Sequence, residues 1–184
     1  LSDGTKVWLN ADSKLIYPSI FRGPSRKVYL SGEAYFEVKT DAAHPFLVHT
    51  GKQDIKVLGT EFNVKAYIDE NECVTTLING KVQVNSSGKQ VMLTEGQQAI
   101  THAAGQLALD KDADIKQAIA WKDGYFRFNN TDIHEIMKQL SRWYDVNVRY
   151  EKGIQQHEFL AIIRRDSDIS QILSMLEGTG EVRF

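Results

Sequence analysis

From Thr5 to about Asp110 the sequence is a succession of short runs in which apolar and polar residues alternate, each closed by turn residues. Val7/Leu9, Val28/Leu30, Ala34/Phe36/Val38, Phe46/Val48, Ile55/Val57, Phe62/Val64/Ala66, Val82/Val84 and Leu107/Leu109 all follow this rule. A period of two places every second side chain on one face of a pleated strand, so each run can bury one face and wet the other. Runs spaced roughly 8–12 residues apart, with no long helical pattern among them, leave a sandwich, barrel or solenoid of antiparallel strands. Asn79-Gly80, between Leu77-Ile78 and Lys81–Val84, is the strongest hairpin signal, because both residues tolerate the positive φ of a tight turn.

The pattern changes over Ala103–Ala120, where small residues give way to the mixed-charge stretch Asp110–Lys116. Beyond it two segments repeat one another. Asp132–Leu140 and Asp168–Leu176 both read D-I-x-x-I-(M/L)-x-x-L. Ile133, Ile136, Met137, Leu140 and Tyr144 fall on one face of an amphipathic helix, as do Ile169, Ile172, Leu173 and Leu176. Asn130 or Thr131 caps the first helix, and Ser167 or Asp168 the second, which Gly178 stops. Strand-like runs flank each helix: Tyr125–Phe128 and Val146–Tyr150 for the first, Phe159–Ile163 and Glu181–Phe184 for the second. The expected organisation is an all-β domain over 1–112, a linker over 113–120 and a small βαβ-βαβ domain over 121–184. The fold class is mainly β plus α+β.

Composition narrows the function. The chain has 184 residues, 42% of them hydrophobic, which is enough apolar material for packed cores. A net charge of −2 argues against nucleic acid, which demands clustered Lys and Arg. The longest apolar run, Phe159–Ile163, is far short of the ~20 residues that span a bilayer. Cys73 is the single cysteine and reads as a buried structural thiol. The chain opens at Leu1 with no initiator methionine and reads as a piece of a longer protein.

Residue constellations for catalysis are weak. Glu33 and Glu37 share a strand face, but at roughly 13 Å by strand rise they are too far apart for a carboxylate pair, and they point to solvent opposite Ala34 and Phe36. His44, His49, His102, His134 and His157 show no metal-ligand spacing. No G-x-S-x-G elbow or phosphate-binding glycine loop is present. The expectation is therefore a binding protein without cofactor, metal or catalytic residues. Trp121, Phe126, Phe128, Tyr144, Tyr150, Phe159 and Phe184 form the core of the second domain. Trp143 lies at the rim of the first helix's apolar face and reads as a half-buried flank or as a partner-contact anchor. Arg164-Arg165 reads as a solvated turn or as a steering pair for an acidic partner. Outward aromatics such as Trp8 or Tyr35 would suit an alternative role as a periplasmic carbohydrate-binding module of a glycan-uptake system. Simple dimerisation is a third reading.

Leu1–Asn10, Val28–Val38, Pro45–Thr50 and Val57–Val64, followed in order by Leu77–Val82 and Leu93–Gln98, resemble the FecR family. Trp121–Phe128 and Leu140–Val146 resemble the C-terminal domain that accompanies FecR domains in Bacteroidetes, itself similar to the STN signalling domain of TonB-dependent receptors. The resemblance implies the periplasmic region of a single-pass inner-membrane anti-sigma factor. It implies as partners the N-terminal signalling domain of an outer-membrane TonB-dependent transporter and, through a cytoplasmic segment, an ECF sigma factor. The membrane would be met only through a helix outside this sequence. Trp143, Arg164 and Arg165 are the candidate partner-binding residues.

Overall fold

The structure, a computed structural model, describes residues 1–151 and 157–184. It divides into two compact units, Leu1–Ala118 and Ile119–Phe184.

The first unit holds β1 (Lys6–Leu9), β2 (Lys14–Ile16), β3 (Arg26–Glu37), β4 (Phe46–His49), β5 (Asp54–Val57), β6 (Glu61–Ala66), β7 (Cys73–Asn79), β8 (Val82–Ser86), β9 (Lys89–Leu93), β10 (Gln98–Thr101) and β11 (Leu107–Asp110). They hydrogen-bond in the order β11-β10-β7-β6-β3-β4-β5-β8-β9, with β1 and β2 also on β3. The twelve-residue β3 joins two layers. Its first half pairs with β2 and β4, its second half with β1 and β6. Gly32, at φ 101°, stands where one half passes to the other. Between the layers lies one core, with Val28, Phe46, Val48, Ile55 and Val84 from one side and Ala34, Phe36, Phe62, Val64 and Leu77 from the other. The result is a β-sandwich sharing a bent strand.

Three features differ from the reading of the sequence. β3 and β4 pair in parallel. The return from Tyr29 to Phe46 runs through residues 30–45, including the second half of β3 in the other layer, and Arg26 clasps its last part: Nε donates to the His44 carbonyl (2.8 Å) and Nη1 to the Lys39 carbonyl (2.8 Å) and to Asp3 (2.7 Å). Asn79-Gly80 is no hairpin, since β7 pairs with β6 and β10 while β8 pairs with β5 and β9. Its glycine, at φ 101°, turns the chain from one layer into the other. The tight hairpin is at Ser87-Gly88, where both residues have positive φ between β8 and β9. Glu33, third, is buried. Asn63 and Asn10 donate to its two oxygens at 2.8 and 2.7 Å, and burial pushes its carboxyl above the usual range. The segment before β2 covers the second face of β3, so Glu33 meets protein where alternation pointed to water.

A short helix α1 (Ile115–Ile119) leads into the second unit. There β12 (Tyr125–Asp132), α2 (Ile133–Tyr144), β13 (Glu158–Arg164) and α3 (Ile169–Glu177) follow in order. β12 and β13 form a two-stranded antiparallel sheet. Val146–Tyr150 and Glu181–Phe184, expected as strands, belong to no sheet. Their alternation has a physical source all the same: Val148 and Val182 pack against the core while their neighbours face water. The βαβ-βαβ reading is thus corrected to β-α-β-α with antiparallel pairing among the described residues. The cap of α2 also moves: Asp132 is the N-cap and accepts from the His134 N–H at 2.9 Å, while Thr131 Oγ1 accepts from the Asn129 N–H.

Candidate functional site

The second unit has one covered and one open face. Phe126 and Phe128 of β12 and Phe159 and Ile163 of β13 point inward, against Ile136, Leu140, Ile172 and Leu176 of the helices. Tyr144 completes this side, its hydroxyl donating to the Ser167 carbonyl at 2.5 Å. Tyr150 and Phe184, expected in the core, are instead 44% and 52% exposed on the two unpaired segments.

The opposite face of the sheet is open, and along β13 it is apolar. Leu160 is 77% exposed and Ile162 63%. Arg127 faces Ile162 across the strands, and Tyr125 faces Arg164. An antiparallel pair with one wet face ordinarily alternates apolar with polar. β13 instead reads Glu-Phe-Leu-Ala-Ile-Ile-Arg, apolar on both faces over five consecutive residues. That unbroken run is the sequence signal of a strand that is apolar on both faces.

The three candidate residues come together at one end of this sheet in different roles. The indole Nε1–H of Trp143 donates to the Arg165 carbonyl at 2.8 Å. The Arg165 guanidinium lies 3.9 Å from the Trp143 ring centroid and 4.9 Å from that of Phe126, and it also donates to the Trp121 carbonyl. Arg165 is therefore a buried cation held between rings, which packs the turn after β13 onto α2. Trp143 still shows 42% of its surface. Arg164 points outward, paired with Asp166 at 2.6 Å. At this end of the sheet the accessible chemistry is the Trp143 ring edge and the Arg164 guanidinium beside an apolar strand. Arg165 contributes by positioning Trp143.

On the other side of the unit, the unpaired segments bound a cleft of about 560 Å³. Ile133, Met137 and Val148 line it among other residues. At its rim His157 pairs with Glu181 at 2.9 Å, and Tyr150 lies against His134 with ring centroids 4.7 Å apart. In the first unit, Tyr35 is buried beneath Trp8 in an edge-to-face contact of 5.7 Å, so it is not the outward aromatic that the sequence suggested. Among the described residues no group of three or more His, Cys, Asp or Glu could hold a metal ion, and no helix is long and apolar enough to cross a membrane.

A profile of the FecR protein family matches residues 1–83, and one of the FecR C-terminal domain matches residues 125–184. No curated protein matches the chain. A protein of Parabacteroides distasonis ATCC 8503, provisionally described as an anti-sigma factor, has been solved at 1.65 Å and at 2.50 Å. The present chain superimposes on these structures with TM-scores of 0.91 and 0.90, at 30% identity over 100% of this chain and 86% of that one. The two profiles follow one another along the sequence as the two units do along the structure, and the chain belongs to the FecR family of anti-sigma factors.

Proposed function

We propose that this chain is the signal-receiving periplasmic part of a transmembrane anti-sigma factor. Its partner is the N-terminal signalling domain of an outer-membrane TonB-dependent transporter. Its output passes through an inner-membrane helix and a cytoplasmic segment outside this sequence to an ECF sigma factor. The observation that carries the reading is the open apolar face of the β12–β13 sheet, in the unit that matches the FecR C-terminal profile. An STN-like partner brings strands of its own, and an added strand satisfies the unpaired N–H and C=O groups of a sheet edge. Trp143 and Arg164 flank that sheet as an anchor and a steering charge. Signalling demands a reversible interface, toward the lower end of the ~1,200–2,000 Å² range.

Calorimetry of the 184-residue chain against the isolated N-terminal signalling domains of TonB-dependent transporters from the same organism tests this. The expected result is a one-to-one complex that Trp143→Ala weakens roughly tenfold or more. Prolines introduced at the exposed sheet edge should abolish binding while circular dichroism stays unchanged. Binding that survives prolines at every accessible edge would remove the strand-addition mechanism. A saturable tryptophan-fluorescence response to oligosaccharides, with no heat from the signalling domain, would favour the carbohydrate-binding alternative.

A further inference from the structure

Among the described residues β13 is hydrogen-bonded on one edge only, to β12. Proteins usually guard such edges with proline, lysine or a bulge. β12 has that protection: the register slips between Phe128 and Thr131, and Asn130 stands at φ 50°. β13 has none, being seven regular residues without proline, lysine or glycine.

Its sequence is self-complementary about Ala161. In an antiparallel pair of two copies centred there, Glu158 meets Arg164 of the second copy, and Leu160 meets Ile162. Phe159 meets Ile163, and Ala161 meets itself on the twofold axis. All four even-numbered residues are exposed in the single chain, and each meets another even-numbered one, so the outer faces stay together and the inward faces stay over the helices. The ends supply the charge complementarity. Glu158 has no ion-pair or hydrogen-bond partner for its side chain among the described residues, and its cross-strand neighbour on β12 is the like-charged Asp132. Arg164 is exposed, and its five N–H donors can serve both Asp166 and a second carboxylate.

We propose that two copies of this chain associate through β13, joining their two-stranded sheets into a four-stranded one with Leu160 and Ile162 of both copies clustered on its outer face. The symmetry is isologous, so the interface closes at two. Two strands of seven residues form a small contact, so the dimer is weak and reversible. A strand from another protein arriving at this edge replaces the second copy. The inference does not rest on the transporter reading, because it is measured with the chain alone.

Sedimentation velocity of the 184-residue chain across a hundredfold concentration range provides the test. The expected result is a monomer–dimer equilibrium. Glu158→Arg places like charges opposite each other at both ends and should raise the dimer Kd roughly tenfold. The double variant Glu158→Arg/Arg164→Glu restores opposite charges and should recover dimerisation to within about threefold. Both positions are exposed, so thermal melts of the variants should match the parent. A chain that is monomeric at every concentration overturns the proposal. So does a dimer that Glu158→Arg leaves untouched, or one that the double variant fails to restore.

Discussion

Arg26 and Asp3 show how single side chains decide local structure in this chain. Arg26 is buried, and its partner Asp3 accepts at 2.7 Å. Burial alone would raise the Asp3 carboxyl, but hydrogen bonds from Thr5 and Arg26 outweigh it and hold the group below its usual value. A carboxylate with a depressed folded-state pKa contributes stability above its unfolded pKa and loses it as pH falls through the folded one. Stability should therefore drop as pH falls below the ordinary carboxylate range. Asp3→Asn should flatten that part of a denaturant-melt profile against pH. Asp3→Ala at neutral pH leaves the Arg26 charge buried without its counterion and should destabilise by about 3 kcal/mol. Cys73 makes a simpler case. It is 1% exposed, and burial pushes its thiol up to about 11. An aromatic disulfide reagent at pH 8 should leave the native chain unmodified and label one thiol after unfolding. The Cys73 environment was legible in the sequence, since the thiol sits in an alternating apolar run. The Glu33 environment was not, because the residues that bury and bond it, Asn10, Ser13 and Asn63, are distant in sequence.

Strands and helices were legible in the sequence to the extent that each is a local pattern. The alternation over residues 5–110 gave the β-rich first unit, and the repeated D-I-x-x-I motif gave α2 and α3. Pairing partners are not local, and there the reading failed. Asn79-Gly80 reports that the chain turns, but not that it turns into a different layer. Val146–Tyr150 reports an extended, half-buried segment, but not whether another strand lies beside it. Two substitutions test elements directly. Gly32 has φ 101°, and a Cβ there would meet Ser13, so Gly32→Ala should cost at least about 1–2 kcal/mol and loosen the bend in β3. Asp132→Ala removes the α2 cap and should lower stability by about 1 kcal/mol in thermal or denaturant melts. In the candidate site, the exposed positions of Trp143 and Arg164 agree with their places at a helix rim and a strand end in the sequence. The inward turn of Arg165 was not legible there, because the rings of Phe126 and Trp143 that hold it come from β12 and α2.

The whole molecule places its two kinds of fold in separate units. The first has a single deep core between two layers of strands. The second is small, with a sheet covered on one face and apolar on the other, as suits a surface completed by something else. The family assignment and the open sheet together support a signal receiver that works by binding. Hydrogen–deuterium exchange of the chain, alone and with the transporter's isolated signalling domain, tests that claim most directly. Slowed exchange is expected in the amides of residues 125–132 and 158–164, with the strands of residues 1–118 unchanged. Protection confined to residues 1–118, or none at saturating partner, would contradict it.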